Sequence, residues 1–276
     1  MTTAQKAVKY LAIALAFLLI FGILSAIVTA IGGVVSLLDA VISDDEPLGE
    51  MTEIYAGNEI ASLNIDIKAA KLTIEKGEAF HVSTNNGEIT AKKNGDTLVL
   101  KESNHKWFYG ENNSEMIITI PEGFAFHSVE IDIGAGAIEI DSLTADTIEI
   151  DIGAAELTAS YLCAKKAIDA DLGTGNFEIS SGYLASPDFD LGVGKTKISA
   201  FITGDGEFDC GIGGLELIIC GAPADYKIKA SCGIGEFTVG GQKISDNDVI
   251  GNGENVLRIS GGIGEVEVSF LQESDA

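Results

Sequence analysis

Arginine is almost missing from this 276-residue chain: Arg258 is the only one, and 17 Lys plus Arg stand against 42 Asp plus Glu, for a net charge of −25. A surface so poor in cations cannot neutralise a phosphate backbone, which excludes nucleic acid as a partner, and attraction to anionic lipid headgroups goes with it. Proline is scarce, with 4 residues, and Trp107 is the only tryptophan. The three histidines, His81, His105 and His127, all fall in the first half. The cysteines Cys163, Cys210, Cys220 and Cys232 form no CxxC pair and have no neighbouring His, so a zinc cluster is excluded and the thiols read as buried. Little is left with which to build a polar active site, and no cofactor is expected.

What is abundant is glycine, 33 residues set among Ile, Leu and Phe rather than Ser and Gln, a composition that permits a core. "EIDIGAGAIEID" (130–141) is followed by "EIDIGAAELTAS" (149–160). With the recurring glycine as origin, Gly134, Gly153, Gly173, Gly192, Gly211, Gly233 and Gly262 are spaced by about 20 residues, the signature of a solenoid. Three positions before it stand Ile131, Ile150, Ala170, Phe189, Phe208, Ala230 and Ile259, and alternation with the position just before the glycine gives one face of a strand. Four and six positions after it a second inward pair appears, as in Ile138 and Ile140, with Thr196 as the one interruption. The inward phase changes between the halves, so the glycine marks a corner and each repeat reads as one coil of two short strands. A phosphate loop at "GTGNFE" is excluded by the lack of a following helix and by the seven copies.

The expected fold is therefore all-β, a parallel β-solenoid of 19–22 residue coils, preceded by one transmembrane helix. That helix is expected over 10–38, which holds no charge until Asp39 and exceeds the roughly 20 residues needed to span a bilayer. Lys6 and Lys9 on one side and Asp44, Asp45 and Glu46 on the other orient it with residues 1–9 in the cytoplasm and the remainder outside. A cleaved signal peptide ending at Val28-Thr29-Ala30 is the alternative reading, and the small residues Gly22, Ala26 and Ala30 would let two such helices pair. A linker follows over 39–57, then a β region over 58–126 with a divergent first coil "SLNIDIKAAKLTIEKG" (62–77), the regular repeats over 127–270, and a tail over 271–276.

Two features suggest binding. Glu130, Glu149, Asp169, Asp188 and Glu207 form one outward column and Asp132, Asp151, Asp171, Asp190 and Asp209 another, until Lys229 with Ser231 and Arg258 with Ser260 break both. Stacked like charges oppose a sheet, a cost that bound cations relieve; oxygen ligands favour Ca²⁺, and a solvated face with diffuse counterions is the alternative. Trp107, Phe108 and Tyr109, in the polar loop "SNHKWFYGENNS", either anchor a partner or fold back over the solenoid end.

The units "SLNIDIKAAKLTIEKG", "ITIPEG" and the run "IDIGAG", "IDIGAA", "ADLGTG", "FDLGVG" and "SCGIGE" resemble, over about 62–270, a bacterial adhesin-like β-strand-repeat domain of unknown function, akin to auto-transporter adhesin heads. The resemblance implies a membrane-anchored solenoid in adhesion or envelope regulation and supplies no catalytic residue. The expected role is an extracytoplasmic interaction protein on the cell membrane that meets an unknown protein or an envelope polymer. Regulation of a neighbouring membrane protein in envelope-stress signalling is the alternative, and a polysaccharide-active enzyme the least supported, because no coil is chemically singled out.

Overall fold

The computed structural model of the protein describes residues 49–57, 59–103 and 114–271. Its strands form one continuous sheet, not closed on itself, wound into stacked coils. At the amino-terminal end lie β1 (Thr52–Ala56), β2 (Ser62–Gly77), β3 (His81–Thr84), β4 (Ile89–Asn94), β5 (Thr97–Glu102) and β6 (Glu115–Pro121). The regular stack is β7 (Phe126–Ile140), β8 (Leu143–Ala159), β9 (Leu162–Ile179), β10 (Gly182–Ala185), β11 (Pro187–Thr203) and β12 (Gly206–Cys220). After a short 3₁₀ turn at Pro223–Asp225 come β13 (Tyr226–Ser231), β14 (Ile234–Val239), β15 (Gln242–Lys243), β16 (Val249–Gly251), β17 (Asn255–Ser260) and β18 (Ile263–Leu271).

In β7 the period-two alternation drives Val129, Ile131 and Ile133 inward and Glu130 and Asp132 outward, and beyond the corner Ile138 and Ile140 are buried. The same columns repeat in parallel register through β2, β7, β8, β9, β11 and β12, so that Ile65, Ile131, Ile150, Ala170, Phe189 and Phe208 form one interior ladder. Inward residues compensate across the corner. Coil β9 combines Ala170 with Phe177, and coil β11 combines Phe189 with the buried Thr196, which explains why that Thr interrupts the apolar column. In these two coils large is set against small, which keeps the packing dense.

Close stacking is what demands the glycines. A Cβ added to Gly192 would lie 2.1 Å from the carbonyl oxygen of Gly173, which no side chain survives. A second glycine column, two residues on, is stricter: Gly194 has φ +149° and its Cβ would lie 1.6 Å from the oxygen of Gly175. Two coils carry alanine in this column, Ala70 and Ala155, and neither adopts the positive φ of the glycines. Between β8 and β9 the paired register passes from Ala154–Thr174 directly to Leu157–Phe177, whereas β9 and β11 stay paired through Gly175–Gly194.

Several expectations are corrected. Among the described residues no helix is long and apolar enough to cross a membrane, which overturns the helix-plus-solenoid architecture as expected from sequence; the segment 10–38 itself lies outside the described residues. Coils have a third side as well as two. Leu143 and Ala145, Leu162 and Ala164, Leu184, and Ile202 are buried on it, in parallel pairings between β8, β9, β10 and β11.

The order of coils also departs from chain order at both ends. The segment 62–77 is not the first coil: β5 and β6 pair in parallel with its two halves and lie outside it. At the other end β17 and β18 pair with β12 on one side and with β13 and β14 on the other, so the last coil in sequence is inserted beneath the one before it. Asn255, at the start of that inserted coil, accepts from the Gly204 N–H (2.8 Å) and donates to the Asp225 carbonyl (3.1 Å), tying it to both flanks. Cys210 and Cys232 are consequently not on adjacent coils. Nor are the ends parallel: β4 on β5, β3 on β6, β16 on β13 and β15 on β14 are antiparallel and cover the outermost parallel edges.

Candidate functional site

The two outward columns on the first side of the coils assemble as a ribbon of carboxylates. In stack order one column runs Asp66, Asp132, Asp151, Asp171, Asp190, Asp209, then Ser260 and Ser231. The other runs Asn64, Glu130, Glu149, Asp169, Asp188, Glu207, then Arg258 and Lys229. Neighbours in a column are about 4.8 Å apart, the spacing of hydrogen-bonded strands. Asp151, Asp171, Asp190 and Asp209 line one side of a trough of about 590 Å³ that follows the corner, whose floor is Gly153, Gly173, Gly192 and Gly211.

Cations terminate the ribbon at both ends. Lys101 bonds Asp66 at one end, and Arg258, 3.9 Å from Asp205, takes the column position at the other. Asp66 was legible as part of the ladder, since it lies two before Lys68 in the glycine column. Lys101 gave no such signal, because β5 reaches its place only through the reversed coil order.

Crowding raises several of these acids. Asp132 is held above the ordinary carboxylate range first by desolvation between coils and then by Asp151, Asp66 and Glu130. Asp190 is raised by desolvation, then by Asp171 and Asp209, and Asp188 by desolvation, then by Asp169 and Glu207. Asp146 is the opposite case, lowered by its bond to Lys166 at 2.8 Å. The thiol of Cys210 is pushed up to about 12 by burial, which leaves it unreactive.

The sign of the linkage follows. An acid whose folded pKa is raised contributes stability below its unfolded value and loses it as pH rises through the folded value. The ribbon is therefore expected to make the domain more stable at about pH 5 than near neutrality, despite the opposing contribution of Asp146. Asp190→Asn should raise stability near neutrality by about 0.2–1 kcal/mol, the range of one cross-strand pair, and flatten this pH dependence. Thermal melts of both proteins across pH measure it; a wild-type melting temperature that climbs from pH 5 to 7 contradicts the argument.

Chemically the ribbon is an array and not a centre. Among the described residues no three His, Cys, Asp or Glu side chains converge in the way a metal ion needs. The five aspartates Asp132, Asp151, Asp171, Asp190 and Asp209, singled out as cation ligands, stand one per coil in a row. Trp107, Phe108 and Tyr109 lie outside the described residues.

A protein-family model described as Toastrack DUF4097 matches residues 60–268. Among solved structures, a putative cell adhesion protein from Clostridium sporogenes is 17% identical, with 80% of this chain and 98% of that chain covered and a TM-score of 0.38. A putative adhesin from Bacteroides fragilis is 11% identical over 79% of this chain and 96% of that chain, with a TM-score of 0.36. Another from Parabacteroides distasonis is 12% identical over 81% and 98%, with a TM-score of 0.31. The comparison with curated proteins gives no match.

Proposed function

The chain belongs to the Toastrack DUF4097 family, and from that premise we propose that it is a non-catalytic interaction scaffold of the cell envelope, acting outside the cytoplasm. The observation that carries this reading is the ribbon itself: a row of carboxylates repeated on coil after coil from β2 to β12, with no coil among the described residues furnished differently from its neighbours for chemistry. Binding by such a surface is multivalent along one direction. It fits an extended, cationic or cation-bridged partner, a basic protein segment or an envelope polymer, better than it fits a small substrate.

Calcium is the cation the oxygen donors favour, bound along the row as shared counterions that relieve repulsion. The domain is expected to melt at a higher temperature in millimolar Ca²⁺ than in chelator at equal ionic strength. Equal melting curves would leave screening as the whole effect.

The test of the function is cross-linking of the full-length chain in intact cells beside a variant with Asp132, Asp151, Asp171, Asp190 and Asp209 all changed to Asn. Envelope polymer or a surface protein recovered with the first and lost with the second supports the ribbon as the binding face. Equal recovery from both would move the function off it.

A further inference from the structure

Two surface columns change together at the carboxy-terminal end of the stack. On one side of the corner the acids stop, and Arg258 and Lys229 with Ser260 and Ser231 take their places. One residue past the corner glycine, the small residues Ala135, Ala154 and Thr174 give way through Val193 to Ile212, Ile263 and Ile234 on three consecutive coils. Ile263 is 52% exposed and Ile234 73% exposed. The columns flanking these isoleucines are glycine on both sides: Gly211, Gly262 and Gly233 on one, and Gly213, Gly264 and Gly235 on the other. The isoleucines therefore form an apolar ridge between two valleys without side chains.

We propose that this end of the stack is a homotypic interface, in which the isoleucine ridge of one copy seats in a glycine valley of a second. Ridge and valley lie side by side on one surface, so the surface is complementary to itself, as a two-fold interface requires. A two-fold axis along the stack sets equal coils level and lays one flank of the ridge against the opposite flank in the other copy. One flank carries Lys229 and Arg258, and the other carries Glu236 and Glu265. Lys229 and Glu265 form no salt bridge among the described residues. One coil in from Arg258, at β12, Asp209 on the first flank is level with Gly214 on the second, and two coils in, at β11, Asp190 is level with Lys195; at coil β8 Asp151 is level with Glu156, which confines the contact to the carboxy-terminal coils. A second copy is the occupant that both the shape and the charges select. Two chains of net charge −25 repel over the acidic ribbon, and on the last two coils of the stack the ribbon positions hold Arg258 and Lys229 instead.

The experiment is sedimentation velocity of the purified full-length chain over a wide concentration range. The expected species has twice the chain mass. Ile234→Lys is expected to weaken association by about tenfold or more, the loss of one hot-spot side chain, while the circular dichroism melt stays put because the residue is exposed. Lys229→Glu should weaken it too, and adding Glu265→Lys in the same chain should restore it. If Ile234→Lys disturbs folding, Ile263→Thr and the charge-reversal pair decide instead. A monomer at every concentration, a dimer indifferent to these substitutions, or a charge reversal that is not rescued would each overturn the proposal.

Discussion

Replacing Gly194 with alanine is expected to destabilise the solenoid by about 4 kcal/mol or more, a class of loss that few single substitutions reach. Three contributions act together. The backbone at φ +149° is open to glycine and strained for alanine, at about 1–3 kcal/mol. The added Cβ would lie 1.6 Å from the Gly175 oxygen and 2.8 Å from its carbonyl carbon, so the two coils must part. Parting them removes ladder hydrogen bonds worth about 1 kcal/mol each. Alanine stands in this column only at Ala70 and Ala155, where the backbone does not take the positive φ that Gly194 shares with Gly175 and Gly213. Gly87→Ala is the control. Nothing lies within 4 Å of its added Cβ, and denaturant unfolding should find that variant close to wild type. A Gly194→Ala protein that unfolds with wild-type stability would refute the close-stacking account of the corner.

Phe208→Ala is expected to cost about 3–5 kcal/mol by the same measurement. The ring is fully buried and stacks on Phe189 with centroids 5.4 Å apart and planes 6° from parallel. Its removal leaves a cavity between coils whose backbones are fixed by twelve paired positions, counted from Asp188–Glu207 to Ala200–Ile219, so collapse cannot fill it. Coil β9 already holds the alternative solution, Ala170 with Phe177. Phe208→Ala combined with Leu215→Phe copies it, and the double variant should recover part of the loss. Recovery of nothing would mean that volume is not traded across the corner.

These two positions show what could be seen before the structure and what could not. Phe208 and its column were legible because every coil repeats the same inward phase. So was the row of acids, whose geometry depends only on register. Gly194 was harder: its column includes Ala70 and Ala155 and so reads as broken beside the column two residues earlier, which is glycine from Gly134 on, although the strained φ belongs to the later one. The third side of each coil was illegible because "SLTA" and "YLCA" are too short to declare an alternation. Stack order was beyond sequence altogether. A parallel strand edge offers the same N–H and C=O pattern to any coil of matching register, and nothing local says that residues 255–271 will lie beneath 226–239 rather than above.

That inverted order bears on how the protein is made. A ribosome releases coil 226–239 before coil 255–271, yet the earlier coil's berth in the stack is the later one's back. Until the final strands emerge, β12 offers an unfilled edge, and β13 and β14 can satisfy it only by occupying another coil's place. A nascent chain that stops before residue 255 therefore loses two seams at once instead of one outer coil. The coil at 226–239 is thus seated only by strands that follow it in the chain.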